Sequence, residues 1–485
     1  SAGLLFAGEG RGRYQGGAVG GTETVSMRHG FSAFVSVAMA VACIGTPALA
    51  QTFASTGKPL QAVYEHLHRN PELSFQESKS SAILAAEMKA LGFEVTQGVG
   101  AVWVKSRAMA DYGKLEAGVG GYGLVAVMRN GAGPTLMIRT DMDALPVVER
   151  TELPFASKAR DVSWSGDEGG VMHACGHDIH MTVWLGTARE LVRQKSEWKG
   201  TLVMIAQPAE ELGLGAIAML DDGLFERFPR PDYNLALHVN ANLPAGMVGH
   251  GSGFVMANVD TVDLLVNGKG GHGAYPQDTK DPVVLAARIV GALQTLVSRE
   301  IDALDAGVVT VGSISGGRTH NVIPDEVLLK ITVRSYEDAT REKLLKGIER
   351  IARGEAMAAG IEGNLAPKMT VKTDYTPSTY NEPELAARLA RALETRLGAE
   401  RLIVATPSMV GEDFSRFGRT EPKIPSAIFW LGSVAQAAYD ASLKPGAPPL
   451  PGLHSSTYAP DPDPTIATGV EAMTAAAIDL LRRSF

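Results

Sequence analysis

Cys175 and His177, separated by one residue in MHACGHDIH (172–180), pair a thiol with an imidazole. Both side chains could hold a divalent metal ion from a loop, or the imidazole could activate the thiolate as a nucleophile. The plain alternative is a thiol buried as a small hydrophobe beside a solvated histidine. Helical periodicity starts near Ile179, which leaves Cys175 and His177 ahead of the helix and lets His180 support a ligand from behind. Glu210 and Glu211 are neighbouring acids in QPAEE (207–211). Consecutive acids on a loop are usually just solvated, yet beside a cation one can bind the ion while the other takes a proton from water. His238 ends a strand inside LALHVN and His454 lies in the loop PGLHSST. Each alone reads as an ordinary histidine, and together they could complete a ligand shell. His272 in GKGGHGAYP is flanked by glycines that free its backbone, and a turn with an incidental histidine is the other reading. No role is assigned to His66, His68 or His250.

What could gather these residues is the end of a sheet. Thr135 to Arg139 runs into Asp141 and Asp143, Thr201 to Ala206 into Gln207, Glu210 and Glu211, and Leu235 to Leu237 into His238. Ligands of open α/β sheets bind outside the carboxyl ends of strands, so the recurrence weighs more than any single residue. The spacing predicts helices from Leu60 to about Arg69 and Ser78 to Leu91, and strands over 123–128, 135–139, 201–207 and 233–239. A helix from about Ile179 to Gln194 separates the second strand from the third. Strands alternating with helices point to an α/β sheet covered on both faces. From about Val259 the order becomes βαββαβ, a split-βαβ sandwich with its last strand at 368–373. The chain then returns to α/β rhythm, with a helix from Glu384, a strand from Ser426 and a final helix from about Pro464. The small domain therefore reads as inserted into the larger one.

The frame fits a soluble enzyme. The chain has 485 residues, 45% hydrophobic and 20% charged, which excludes wholesale disorder. A net charge of -8 and only 6% aromatics argue against a nucleic-acid surface. Residues 1–26 read as lying upstream of a natural start at Met27, and 27–50 as a secretory signal peptide ending in Ala48 and Ala50. Lipoprotein processing at Cys43 is a minor alternative, and an uncleaved anchor another. The organisation expected is thus catalytic domain 51–256, inserted domain 257–375 and catalytic domain 376–485, in an exported protein that is periplasmic in a Gram-negative source. Cys175 would be the single cysteine of the mature chain, so no internal disulfide is possible and the thiol needs another reason.

HACGHDIH, QPAEE, LALHV, GGHGAYP, HNVIPDE and GLHSSTY, taken in order, resemble the metal-dependent amidohydrolase and carboxypeptidase family of hippurate hydrolases, auxin-conjugate hydrolases and N-acyl-amino-acid amidohydrolases. HRNPELSFQE and RTDMDALP look like it too, and the resemblance covers nearly all of the mature chain. It implies a zinc-peptidase-like α/β catalytic domain with an inserted α+β domain that dimerises or acts as a lid. It also implies that Cys175, His177, Glu211, His238 and His454 bind two divalent ions per subunit (Zn, Mn, Co or Ni), with Glu210 the general base. By the same resemblance Asp143 orients a ligand from behind and His272, often acting on the partner subunit's site, stabilises the oxyanion. The resemblance further implies that Asn321 contacts substrate and that Arg334 holds the substrate carboxylate. The outcome is hydrolysis of the amide bond of an N-acyl amino acid or related conjugate.

Two departures stand out. Gln277 replaces the histidine many relatives carry after the proline of GGHGAYP, and Ala101 to Ala117, between two copies of GVG, looks like an insertion. The rivals are a carboxypeptidase or dipeptidase with the same site, a cysteine hydrolase and, in another class, a periplasmic solute-binding protein. The acids and histidines at strand ends separate the last from an enzyme, because ligand capture alone does not need them.

Overall fold

The computed structural model describes residues 59–482, so the upstream segment, the leader and Cys43 lie outside the described residues. Eight strands form the main sheet, in the order Glu94–Val99, Gly123–Asn130, Gly200–Gln207, Thr135–Asp141, Tyr233–Pro244, Ser426–Val434, Val248–His250 and Leu402–Val404. The four strands from Gly200–Gln207 to Ser426–Val434 are mutually parallel, their flanking pairings with Gly123–Asn130 and Val248–His250 are antiparallel, and Leu402–Val404 runs parallel to Val248–His250. Leu202 to Ala206 are all buried, as a strand covered on both faces requires. Helices Leu60–Arg69, Ser78–Ala90, His177–Arg193, Pro383–Leu397 and Pro462–Leu481 share one core with one face of the sheet. Phe414, Phe417, Met219 and Leu224 pack on the other face.

The sheet order explains where a site can form. From Thr135–Asp141 the chain crosses through His177–Arg193 to a strand on one side, then through Gly215–Asp221 to a strand on the opposite side. The two crossover helices cover opposite faces of the sheet, so the turns that follow the neighbouring strands at Asp141 and Gln207 part and open a crevice at their carboxyl ends. Asp141 stands there, between Gln207 and His238.

The second sheet has the order Gly307–Ser315, Glu326–Ser335, Asn258–Asn267 and Lys368–Val371, all antiparallel. Its alternating burial fits a sheet with one covered face, and helices Pro282–Thr295 and Asp338–Ala358 supply the cover. This is the βαββαβ sandwich read from the sequence. Among the described residues one helical stretch, Pro282–Glu300, is apolar and long enough to cross a membrane. Leu285, Ile289, Leu293 and Leu296 on that stretch are buried in the sandwich core, which accounts for much of its apolar character.

Two expectations change. The helix after Cys175 begins at His177 itself, because Gly176 takes a left-handed φ of 78° and turns the chain at once. A Cβ on Gly176 would also come within 2.6 Å of Val239 Cγ2, so the turn needs glycine twice over. The stretch read only as an insertion contains a helix, Ala101–Tyr112. Its stems touch: a Cβ on Gly121 would lie 2.2 Å from the Ala101 nitrogen, so the excursion leaves and rejoins the fold at one point. Trp103 and Val104 pack with Phe75, Ala209 and Leu214, directly behind the Glu210–Glu211 turn. The short strands Val248–His250 and Leu402–Val404 escaped sequence reading, since three residues show no period.

Candidate metal centre

Each proposed ligand is aimed by its backbone. His177 donates from Nδ1 to the Asp143 carbonyl at 2.7 Å, which leaves Nε2 free, and that atom is buried without a hydrogen-bond partner. His238 donates from Nδ1 to the Val239 carbonyl at 2.8 Å and points Nε2 to within 3.6 Å of Cys175 Sγ. His454, in a left-handed conformation at φ 66°, is tied by its N–H to the Ala174 carbonyl. Its Nε2 lies 3.4 Å from Glu211 Oε1, itself buried without a hydrogen-bond partner and 3.9 Å from His177 Nε2. Three groups, Cys175/His177/His238, Cys175/Glu211/His454 and His177/Glu210/Glu211, each hold their ligand atoms within 4.8 Å of one another. A buried nitrogen and a buried carboxylate oxygen left unpaired are costly, and a shared cation satisfies both. The mixed sulfur, nitrogen and oxygen donors suit borderline divalent ions. His454 is 55% exposed, so the cluster opens to solvent on that side, as a catalytic site needs.

Protonation states fit the same picture. Burial holds His238 and His180 down to about 4, so both are neutral near pH 7. Burial also pulls His177 down, but Asp141, Asp143 and Glu211 outweigh it and hold the imidazole up to about 10. The acids that keep a proton there would serve a cation equally well. Burial and the carboxylates of Glu211, Glu210 and Asp141 push the Cys175 thiol well above its ordinary range. That disfavours a free thiolate nucleophile. Burial, with Glu412, Glu211 and Asp413 around it, raises Glu210 well above the usual carboxylate range, which suits a group that must take up a proton.

Asp143 fixes both acids, accepting the N–H of Glu210 at 3.1 Å, the N–H of Glu211 at 3.0 Å and the Ser74 hydroxyl at 2.6 Å. Burial would raise its pKa, but these donors and His177 hold it below the usual range. His180 is fully engaged, donating to Asp141 Oδ1 at 2.7 Å and accepting the Val239 N–H at 2.9 Å, so it supports the site and does not ligate.

The inserted-domain residues stand apart from this cluster. His272 is exposed on the short pairing of Gly271–His272 with Val322–Ile323, and its Nδ1 accepts the Ala274 N–H. Asn321 lies beside it, its carbonyl accepting the Gly273 N–H at 2.8 Å. Gln277 is exposed in the turn Pro276–Asp278. Arg334 is half-buried, donates to the Met409 carbonyl at 2.8 Å and has no carboxylate partner among the described residues.

Sequence reasoning missed two supporting networks. Arg139, fully buried, bonds Asp141 at 2.7 Å, Glu412 at 2.8 Å and Asp413 at 3.2 Å beneath Glu210. His68, assigned no role, donates to Asp178 at 2.7 Å and Glu149 at 3.0 Å, both buried. Asp178 follows His177, and the N–H of Arg150 beside Glu149 bonds the Ser456 carbonyl in the His454 loop, so this histidine braces the segments that carry His177 and His454. Burial pulls its pKa down, but the two carboxylates outweigh that and hold it up from 6.5 to about 9. Its stabilising contribution is therefore complete below pH 6.5 and is lost as pH rises through 9. The magnitude is on the order of 3 kcal/mol, counted once for the three groups. Urea unfolding of the metal-free protein should show the His68→Gln deficit largest near pH 6 and mostly gone by pH 10, whereas a deficit independent of pH would mean the charge does not matter.

A sequence profile described as peptidase family M20/M25/M40 matches residues 137–443. The N-acetyldiaminopimelate deacetylase of Leuconostoc citreum is 36% identical over 375 residues, covering 77% of this chain and 88% of that protein. Thermostable carboxypeptidase 2 of Saccharolobus solfataricus is 33% identical over 369 residues, covering 76% and 84%. Among solved structures, the YXEP protein of Bacillus subtilis, a dinuclear metal-binding peptidase from the M20 family, superposes with a TM-score of 0.65 at 27% identity, covering 87% of this chain and 97% of that one.

Proposed function

This chain belongs to the M20/M25/M40 peptidase family of amide-bond hydrolases, and we propose that it is an exported N-acyl-amino-acid amidohydrolase using two divalent ions. The observation that carries the reading is the convergence of Cys175, His177, Glu211, His238 and His454 on one opening, with unpaired buried atoms on His177 and Glu211 and with Glu210 alongside. Two divalent ions bound there would polarise the amide carbonyl and make water a nucleophile at neutral pH.

The chain's own groups do the rest. Glu210 accepts a proton as water oxygen bonds to the carbonyl carbon, and returns it to the nitrogen as the C–N bond breaks. His272 donates to the developing oxyanion, from its own subunit or a partner's. Asn321 contacts the substrate beside it. Arg334, a half-buried cation with no carboxylate of its own, receives the carboxylate of the amino acid. Arg334→Ala should raise KM for N-acyl amino acids by roughly 10- to 100-fold with a smaller effect on kcat. The corresponding amides, which lack the carboxylate, should be cleaved alike by both proteins.

Hydrolysis of N-acetyl, N-benzoyl and indole-acetyl amino acids beside simple dipeptides, with metal-loaded protein and a chelated control, tests the substrate class. Cleavage of the acyl series alone supports the reading. Cleavage of dipeptides alone would move the chain to the carboxypeptidase side, which the Saccharolobus relative keeps in view. Family membership removes the solute-binding alternative. Dimerisation through the inserted domain is part of the proposal: its helix Pro282–Thr295 exposes Val283 and Val284, and strand Gly307–Ser315 is a sheet edge exposing Ile314. A monomer by light scattering at working concentration would remove both the dimer and a partner-supplied His272.

A further inference from the structure

Two residues that are not glycine, Phe75 at φ 62° and Ala209 at φ 50°, hold left-handed backbone conformations and turn their N–H groups onto the same oxygen. Glu77 Oε1 accepts from Phe75 at 2.9 Å and from Ala209 at 2.8 Å. Glu77 is fully buried, and its second oxygen has no hydrogen-bond partner. Ala209 immediately precedes Glu210 and Glu211, and its carbonyl is held in turn by the N–H groups of Leu214 and Gly215. Side chains with a Cβ disfavour this conformation, and it persists only where the surroundings over-determine it.

We propose that Glu77 is a positioning residue of the hydrolytic site: its carboxyl group pins Ala209 in the left-handed turn that presents Glu210 and Glu211 to the ligand cluster. This rests on Glu210 as proton acceptor and Glu211 as metal ligand. Three further observations support it. The two acids have their own N–H groups fixed by Asp143, so the turn is clamped on successive residues by two carboxylates. Ala209 is walled by Phe75, Val104 and Leu214, which leaves it little room to relax. Burial and the neighbouring Asp143 carboxylate hold the Glu77 carboxyl well above its ordinary range, which favours the neutral acid, while Oε1 accepts both N–H groups. A neutral amide can therefore do the same work, and a glycine at 209 can partly dispense with it.

The test measures zinc affinity by competition with a chelator, together with kcat and KM at saturating zinc. The variants are Glu77→Ala, Glu77→Gln and the double variant Glu77→Ala/Ala209→Gly. Glu77→Ala should lower kcat about 100-fold and zinc affinity about tenfold with KM little changed. Glu77→Gln should stay within about threefold of the parent in both, because its Oε1 still accepts. Ala209→Gly in the Glu77→Ala background should restore about tenfold of the lost kcat, by removing the penalty on the left-handed turn. The proposal is overturned if Glu77→Ala costs less than about threefold, if Glu77→Gln loses as much as Glu77→Ala, or if the glycine restores nothing. Should Glu77→Ala not fold, Glu77→Met fills the same volume without an acceptor and replaces it in the series. Were the parent to show no zinc-dependent hydrolysis, the functional reading would fail, while the zinc affinities of the same variants would still decide the role of Glu77.

Discussion

Glu210→Gln should keep its full complement of bound metal and lose about 10³-fold in kcat. The substitution keeps the side chain's shape and leaves the N–H to Asp143 untouched, so the turn and the neighbouring Glu211, the proposed ligand, stay in place. What disappears is a proton acceptor whose basicity burial and the Glu412, Glu211 and Asp413 carboxylates raise. A loss of this kind falls on kcat and kcat/KM together, because the proton moves only in the transition state. Metal content by elemental analysis separates the two possible failures. Lost activity with lost metal would make Glu210 a ligand, and retained activity would pass the proton-acceptor role to another group.

The same residue shows how far the sequence could be read. Glu210 and the five proposed ligands could be picked out because each follows an apolar strand, a turn or a short motif that announces it, and the fold brings them together. HACGH and QPAEE bring their chemistry within a few positions of a strand end or helix start. The supports were not legible, since their partners are remote: Arg139 reaches Glu412 across 273 positions, and His68 reaches Asp178 across 110. Nothing local in GEDF (411–414) marks Glu412 as the neighbour of Glu210. Capping shows the same limit, for helix Ser78–Ala90 has the N–H groups of Lys79 and Ser80 satisfied by Glu72, outside the helix, while the residue at the cap position, Glu77, turns away toward Ala209. The periodic elements survived because burial dictates their pattern directly. The helix Ala101–Tyr112 is not read from the sequence, where its stretch looks only like an insertion, and its contact behind the acidic turn shows what the inserted segment packs against.

Chelation should abolish hydrolysis, by more than about 10³-fold, and readdition of a divalent ion should restore it. Without a cation at pH 7 His177, held up to about 10, keeps its proton, and Cys175, pushed well up, remains a thiol. Both must lose their protons to become ligands, so loading the apoprotein at neutral pH should release protons, and apparent affinity should rise with pH. Titration calorimetry in two buffers of different ionisation enthalpy reads that release directly. His238, held down to about 4, contributes none. Loading should also raise the unfolding temperature, because an ion that binds only the folded chain stabilises it by about 4 kcal/mol at a thousandfold excess over Kd. Activity that survives complete chelation would eliminate metal-assisted chemistry at this centre. Loading without proton release would mean that Cys175 and His177 are not the atoms that receive the ion, and the two unpaired atoms on His177 and Glu211 would then need another explanation.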